Sequence, residues 1–495
     1  MKKITVLLLA CLVMALAFSA CSRDDEETPT PTPQPSANDG EAPAPTPPAD
    51  PDNNDDVAPE APAQTGLHAP QDFGGRTIRI AGWWETLLPG TVDPEEPDPA
   101  TATDYFMSRL RWDNARRIEQ DFNISYDEIV VPYEDLLPQL TASVLAGDPI
   151  ADIYLLPGYG ILTGFVGDLI TPWSQVNLPG SDLLGSQTWI APTVVHEGEI
   201  WSAMQNSGLS NANALGVNLD LINATGAPNP VDLFNAGNWN WDTMLEVMRM
   251  TTRDTTGDGL NDQFGLSGDW GTIVNSLLGA NSGNTVTADL MYGWDQPRVM
   301  EVFDFVEVIA RERLWYYDRY GESELSGWAR NHNSFLSGNA ALFMISTWIL
   351  PTNADDMPFN FAIVPYPAGP SNDDGSTYLA PWQQGWTLPM GTADPHQVLV
   401  VFEELFTWPG MDEPTLLRDE NAGWVRGRMM TEEDVQRKMM IGDNIRTDIG
   451  LTVPEYSWVI GSFVAAFWNQ TGTVAQVAEE QRQVSQERLD RFFPR

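Results

Sequence analysis

Aromatic residues stand directly after several short apolar runs of this chain. Trp83-Trp84-Glu85 follows the alternating run RTIRIA, and Tyr159 follows the apolar run DIYLL. A ring beside amide or carboxylate groups suits a pyranose, since the ring covers the apolar C–H face and the polar groups bond the hydroxyls. Burial in a core is the competing interpretation for each tryptophan, and we expect at least three of the seven below to line a site. The predicted ligand residues are Trp83, Trp84, Glu85, Tyr159, Trp201, Gln205, Trp270, Trp348, Trp382 and Trp386, with edge contacts from Asn206, Gln383 and Gln384.

The elements that would position these residues alternate between strand and helix. Residues 76–81 and 124–131 have the pattern of strands, 152–156 that of a short buried strand, and 136–145 that of a helix. This alternation predicts an α/β fold with a mostly parallel sheet covered on both faces. Ligands of open parallel sheets bind beyond the carboxyl ends of the strands, which is where the aromatic residues stand. Later elements are predicted as helices at 240–251, 394–407 and 473–493 and as strands at 340–346 and 359–364.

An acidic loop offers a candidate metal site. Asp254, Asp258 and Asp262 lie in DTTGDGLND, where oxygen ligands recur and glycine allows a turn, as in the first part of an EF-hand loop. The glutamate expected at the twelfth position is replaced by Gly265. The loop therefore predicts either a structural calcium site or an acidic turn in which Asp254 caps a helix end. No other cofactor is predicted, and the four histidines, which are far apart, are interpreted as surface residues.

The charge balance and the missing motifs exclude several functions. Of the 495 residues, 26 are basic and 69 acidic, and the net charge of −43 argues against nucleic-acid binding. The only lysines are Lys2, Lys3 and Lys438, and no Walker A sequence occurs, so the chain is not an ATPase or GTPase of that class. Signatures of serine acyl transfer, of zinc proteases and of dinucleotide binding are also missing. We therefore predict that the protein is not an enzyme.

The first residues have the layout of an export signal. A charged start at Lys2 precedes an apolar run, residues 4–18, that is too short for a comfortable membrane span, and Cys21 follows small residues. This end resembles a bacterial lipobox, in which residues 1–20 are the signal peptide and Cys21 carries the lipid. An ordinary secretory signal is the alternative. Residues 21–70 are rich in proline and acidic residues, and we predict a disordered tether there.

Six segments of the remaining chain carry a resemblance to one protein family. They are residues 75–84 (GRTIRIAGWW), 142–160, 214–266 with its GDG turn, 334–348 (SFLSGNAALFMISTW), 361–370 (FAIVPYPAGP) and 453–483. In this order they resemble the extracellular solute-binding proteins of ATP-binding-cassette (ABC) importers, specifically the large family that binds sugars and oligosaccharides. The resemblance covers most of the chain behind the tether.

The resemblance implies a fold, a location and a set of partners. The fold would be a two-lobed α/β, periplasmic-binding-protein-like architecture, with the ligand cleft between lobes that hinge crossings join. The first lobe would comprise residues 71–203 and 335–386, and the second 204–334 and 387–495. The partners would be a carbohydrate ligand, the ABC permease subunits, and the lipid bilayer through Cys21. The protein would then stand on the extracellular face of the cell membrane, or on the periplasmic side where an outer membrane exists.

Two other functions remain open at the level of sequence. A secreted glycoside hydrolase would need two carboxylates about 5–10 Å apart across a sugar site, and a chain with 69 acidic residues offers many pairs. A sugar-sensing or adhesive lipoprotein would share the fold of a solute-binding protein without serving transport. The ordered family segments favour capture of a sugar or oligosaccharide for delivery to a permease.

Overall fold

The computed structural model describes most of the chain that follows the predicted tether. The described residues are 66–83, 105–176, 190–205, 213–316, 335–346, 349–351, 354–381, 383–406, 422–423 and 425–494. The predicted signal peptide, Cys21 and residues 22–65 of the predicted tether lie outside this set. Within it, no helix has the length and apolarity needed to cross a membrane.

Most strands belong to one of two sheets, and the first sheet carries the aromatic strand ends. In chain order, strands β1 to β14 of the described chain are Arg76–Gly82, Ile124–Val130, Ile153–Leu156, Ile170–Thr171, Ile190–His196, Glu199–Gln205, Ala214–Asn218, Phe264–Ser267, Trp315–Tyr316, Ala340–Ile345, Phe361–Val364, Tyr378–Ala380, Gly385–Pro389 and Ile445–Thr447. The strand order of the first sheet is β2-β1-β3-β13-β6-β5, with β4 beside β13. Strands β1, β2 and β3 run parallel, whereas β13 runs antiparallel to both β3 and β6.

The second sheet has five strands in the order β11-β7-β10-β8-β9. Here β10 runs parallel to β8 and antiparallel to β7, which also pairs antiparallel with β11. Both sheets are therefore mixed, whereas the sequence predicted mostly parallel ones. Two features produce the antiparallel pairs of the first sheet. Strand β13, which follows the strands of the second sheet in the chain, runs antiparallel to its neighbours β3 and β6. Strands β5 and β6 form a hairpin whose two turn residues, Glu197 and Gly198, have positive φ.

The strand pairing also differs from the division into lobes predicted above. The strands β10 and β11 fall within residues 335–386, which the sequence assigned to the first lobe, yet they pair with β7 in the second sheet. Conversely, the helix Pro395–Phe406 packs its buried face into the core of the first sheet. The chain returns to the first sheet at β13. The strand that ends at Ala380 pairs with β14, whereas the strand that begins at Gly385 pairs with β3.

Helices cover both sheets, and those predicted at 136–145, 240–251, 394–407 and 473–493 are present with nearly the predicted bounds. The helix Trp270–Gly279, which the sequence did not predict, begins after Asp269, whose carboxylate accepts a hydrogen bond of 2.8 Å from the N–H of Thr272. In chain order the helices α1 to α12 are Tyr105–Phe122, Leu136–Leu145, Gly158–Val166, Leu219–Thr225, Pro230–Asn235, Trp241–Thr251, Trp270–Gly279, Pro297–Arg311, Pro395–Phe406, Glu432–Asp443, Val459–Asn469 and Val474–Phe492.

A cluster of charged groups links the start of the described chain to two helices that pack on the first sheet. Nε2 of His68 lies 2.7 Å from Oε2 of Glu403, and the N–H of His68 donates to Glu404 at 2.6 Å. Arg117 pairs with Glu404, and a Cβ on Gly66 would stand only 2.4 Å from the guanidinium of Arg117. Residues of the predicted tether therefore pack on α1 and α9, and His68 is not the free surface histidine that the sequence suggested.

The protonation of His68 couples this attachment to pH. The hydrogen bond to Glu403 raises the pKa of His68, burial opposes the rise, and the charges of Glu403 and Glu404 add to it. A raised folded-state pKa means that the interaction stabilises the fold below the unfolded-state pKa of about 6.5. That contribution is lost as the pH rises through the higher folded-state pKa.

We expect His68→Gln to destabilise the protein most at acid pH. The difference in free energy of unfolding between the wild type and the variant should shrink as the pH rises through the folded-state pKa of His68, because only the protonated ring forms the ion pair. Urea denaturation of both proteins from about pH 5 to about pH 9 measures it. The control is His396→Gln, which changes an exposed histidine outside this cluster. Parallel curves for the wild type and His68→Gln would contradict the coupling.

Candidate functional site

A cavity of about 290 Å³ lies where the first sheet meets the β12–β14 pair. Its size is close to the lower end of the range of about 300–1,000 Å³ that small-molecule sites occupy. Strands β1, β2 and β3 all run parallel with their carboxyl ends toward it, as the topology of open sheets requires. The lining residues are Trp83, Tyr133, Pro157, Gly158, Tyr159, Tyr378, Pro381, Gln383, Gln384, Leu451 and Thr452.

Three aromatic rings form one wall of the cavity. Trp83 follows β1, Tyr133 follows β2 and Tyr159 follows β3. The ring centroids of Trp83 and Tyr133 are 5.4 Å apart at an interplanar angle of 87°, and those of Tyr133 and Tyr159 are 6.1 Å apart at 67°. Such edge-to-face contacts hold the rings against one another and leave apolar surface for a ligand.

Hydrogen-bond donors lie beside these rings. Burial raises the pKa of Tyr133, and its hydrogen bond with Tyr159 raises it further, so the hydroxyl of Tyr133 stays neutral and can both donate and accept. Helix α3 begins at Gly158 in the cavity wall, and Pro157 supplies no side-chain cap to its first turn. Because the first N–H groups of a helix have no partner within it, this turn offers backbone donors to a ligand oxygen.

Tyr378 forms the opposite wall and is almost fully buried. Burial raises the pKa of its hydroxyl to about 12; the hydrogen bond with Asn213 opposes that rise, and the charge of Asp269 adds to it. Asn213 in turn accepts a hydrogen bond from Ser346, which lies just beyond β10. The hydroxyl of Tyr378 is thus neutral and held in one orientation by a polar network of the second sheet.

The backbone of helix α7 sets the position of Tyr378. A Cβ on Gly279 would stand 2.2 Å from the carbonyl carbon of Tyr378 and 2.3 Å from the nitrogen of Leu379. Only glycine permits so close an approach of a helix to a strand. The backbone of strand β12 therefore packs directly against α7, and the strand pairs with β14.

A short 3₁₀ turn, Ile449–Thr452, brings Leu451 and Thr452 to the cavity. Asp448 caps this turn: its carboxylate accepts from the N–H of Gly450 at 2.7 Å and from the hydroxyl of Thr285 at 3.0 Å. Asp448 is 3% exposed, and burial raises the pKa of its carboxyl against the lowering effect of these bonds. The buried carboxylate thereby joins the turn to the loop that follows α7.

The link between β12 and β13 completes the lining. It passes through Pro381, Gln383 and Gln384, which are half-buried, and Nε2 of Gln383 donates to the carbonyl of Pro381 at 3.1 Å. Both glutamines therefore lie at the cavity, where the sequence predicted edge contacts from them. Primary amides can donate to and accept from vicinal hydroxyls at the same time.

The structure brings together part of the predicted site. Trp83 and Tyr159 line the cavity, and their contact with a ligand stays a prediction. Gln205 lies at the end of β6, but its side chain is outside the described set. Four other predicted ligand residues also lie outside the described residues: Trp84, Glu85, Trp348 and Trp382.

Three predicted tryptophans lie elsewhere. Trp386 is 3% exposed in the core of the first sheet, where its ring packs near Phe406, because both faces of β13 are buried. Trp201 packs against Phe165 with ring centroids 5.0 Å apart. Trp270 opens α7 and packs on the core of the second sheet close to Gly461. None of the three is among the residues that line the described cavity, so their contact with a ligand stays a prediction.

The lining residues that the sequence missed include Tyr133, Tyr378, Leu451 and Thr452. Trp83 comes directly after β1, whereas Tyr133 comes after Val131 and Pro132 beyond the end of β2, so a search for aromatic residues slightly farther from each strand end would have found it. Tyr378 lies in a strand of three residues, which is too short to show a periodicity. Leu451 and Thr452 are far along the chain from the other lining residues, and no local pattern marks them.

The aspartates of the predicted calcium loop bond to the backbone of the loop itself. Asp254 accepts from the N–H groups of Gly257 and Gly259, at 2.6 and 2.7 Å, and Asp262 accepts from that of Thr255 at 2.9 Å. Among the described residues, no group of three or more histidine, cysteine or acidic side chains could hold a metal ion. Calcium binding by this loop stays a prediction.

Comparison with known proteins identifies the family. Residues 119–408 match the model of the family described as bacterial extracellular solute-binding protein. The chain belongs to this family. The match includes β2 to β6 and β13 of the first sheet and the whole of the second sheet. No curated protein sequence matches the chain significantly.

Solved structures share the two-lobed fold at low sequence identity. UspC from Mycobacterium tuberculosis is 16% identical with a TM-score of 0.53, covering 83% of this chain and all of that one. The Bdellovibrio bacteriovorus maltose/maltodextrin-binding domain MalE, bound to maltotriose, is 14% identical with a TM-score of 0.53, covering 84% and 100%. The Listeria monocytogenes substrate-binding protein Lmo0181, in complex with cycloalternan, is 12% identical with a TM-score of 0.56, covering 85% and 99%.

We expect Trp386→Ala and Tyr133→Ala to differ sharply in stability. Removal of the buried Trp386 should lower the free energy of unfolding by about 3–5 kcal/mol, because it leaves a large cavity in the core. Tyr133 is 46% exposed, and its removal should cost about 1 kcal/mol or less. Urea denaturation of the two variants beside the wild type measures both values, and equal losses would contradict the assignment of Trp386 to the core and Tyr133 to the cavity wall.

Proposed function

We propose that the protein captures a carbohydrate outside the cell and delivers it to the permease of an ABC importer. The observation that carries this proposal is the cavity wall, in which Trp83, Tyr133 and Tyr159 face two glutamines and uncapped N–H donors. Apolar ring faces beside neutral donors and acceptors match the two kinds of surface on a pyranose. Sugar complexes of proteins with the same fold support the choice of ligand.

The protein binds its ligand without altering it. Hydrolysis of a glycosidic bond requires two carboxylates that flank the bond. The described lining of the cavity contains hydroxyls, amides and backbone groups, and these bind a sugar reversibly. Membership of a solute-binding family agrees with this function.

A titration of tryptophan fluorescence tests the proposal. We expect a saturable change with a mono- or oligosaccharide at micromolar concentration, and no increase in reducing ends in the same samples. Tyr133→Ala should weaken the binding by about tenfold or more, since it removes one ring of the wall. Val130→Ala, which removes an exposed residue on the neighbouring strand, is the matched control. Release of reducing ends would identify a hydrolase, and no saturable change with any sugar would refute carbohydrate capture.

The proposed location is the outer face of the cell membrane, with Cys21 as the lipidated residue. A lipid on Cys21 and the proline-rich residues 22–65 would hold the folded region near the permease while leaving it free of the bilayer. The support for this anchor is the order of charged start, short apolar run and small residues before Cys21.

Cell fractionation tests the anchor. We expect Cys21→Ser to move the protein from the membrane fraction into the medium or soluble extracellular fraction, because a lipid attached to that thiol is the proposed membrane contact. Cys11→Ser changes the other cysteine, which lies inside the apolar run, and should leave the protein at the membrane. Retention of Cys21→Ser at the membrane would contradict lipidation at this residue.

A further inference from the structure

The described lining of the cavity contains no aspartate, glutamate, histidine, lysine or arginine. Its polar side chains are the hydroxyls of three tyrosines and Thr452 and the amides of Gln383 and Gln384. The pKa of Tyr378 is about 12, so its hydroxyl carries no charge near neutral pH. The described lining thus lacks charged side chains, whereas charged residues make up 19% of the whole sequence.

The arginines on the strands that lead to the cavity are engaged with carboxylates of the protein. Arg79 on β1 has its Nε 3.4 Å from Oδ2 of Asp152, and Arg446 on β14 has its Nε 3.3 Å from Oδ2 of Asp374. The sequence segments that adjoin lining residues, 84–104 and Trp382, contain no lysine or arginine. The described lining and these adjoining segments therefore contain no lysine or arginine that could pair with an anionic ligand.

The negative charge of the surrounding protein also disfavours an anionic ligand. The chain carries a net charge of −43, and the negative charge of Asp269 acts on Tyr378 in the cavity wall. A carboxylate or phosphate that enters a cavity without a paired cation loses hydration that nothing replaces. Within the described lining, the first turn of α3 attracts anions, but its partial positive charge is shared among N–H donors that serve a hydroxyl oxygen equally well.

We infer that the cavity selects electrically neutral saccharides and rejects uronic acids and sulphated or phosphorylated sugars. This inference rests on the proposed function, and it adds the charge of the ligand to the chemical class. Selection follows from unfavourable desolvation of the anion and repulsion by the acidic protein, while neutral sugars keep their hydrogen bonds to hydroxyl, amide and N–H groups. Binding of the neutral sugar should also be insensitive to salt, because no ion pair forms.

A glycan array followed by calorimetry tests the inference on the full chain. The array presents neutral, uronic-acid and sulphated oligosaccharides, and each neutral sugar that binds is compared by calorimetry with the same sugar after one C6 hydroxymethyl group has been oxidised to a carboxylate. We expect the acid to bind at least about 100-fold more weakly, and the neutral sugar to bind equally well at low and high salt. An acid that binds as tightly as its neutral counterpart would overturn the inference while leaving carbohydrate capture intact. No binding by any glycan would refute the proposed function itself.

Two variants at one position separate charge from shape. Gln384→Arg places a cation in the lining and should reduce the preference for the neutral sugar by about tenfold or more. Gln384→Glu has nearly the shape of the original side chain and should leave that preference undiminished or increase it. Far-UV circular dichroism and the melting temperature establish that both variants are folded. An equal effect of the two substitutions on the ratio of affinities would overturn an electrostatic origin of the selectivity.

Discussion

One stretch of chain, from β12 through Pro381 and Gln384 to β13, constrains the cavity more than any other. At one end β12 rests on the backbone of α7 and pairs with β14; at the other end β13 inserts between β3 and β6. Both ends are buried strands, so the few residues between them have little freedom. The path of the backbone therefore places the side-chain amides of Gln383 and Gln384 at the cavity.

A second constraint comes from the buried carboxylate of Asp448. It accepts hydrogen bonds from the turn that carries Leu451 and Thr452 and from Thr285 beyond α7. The same helix α7 holds β12 through Gly279. The wall containing Tyr378 and the turn containing Thr452 are therefore attached to one helix, and a shift of that helix would move both together. The aromatic wall, by contrast, is fixed by three parallel strand ends of the first sheet.

The sequence predicted the elements well because their periodicities are local. The strand at 76–82 and the helices at 136–145 and 474–492 need only neighbouring residues to be recognised. The partition between sheets was not predicted well, because the pairing of β10 with β7 joins residues more than a hundred positions apart. The same limit applies to the site: Trp83 and Trp386 both stand beside buried strands in the sequence, and only the packing of Phe406 and its helix decides that Trp386 is a core residue.

Overall charge and local charge are independent properties of this protein. The net charge of −43 is spread over the chain, whereas the described cavity lining presents only neutral groups. A high uniform charge keeps molecules apart and opposes anionic solutes over long distances, but it gives no direction to a bound ligand. Direction must come from short-range contacts, and at this cavity those are aromatic faces and hydrogen bonds, which salt screens very little. An acidic surface and a neutral cavity are therefore compatible solutions to two separate requirements, solubility outside the cell and recognition of an uncharged solute.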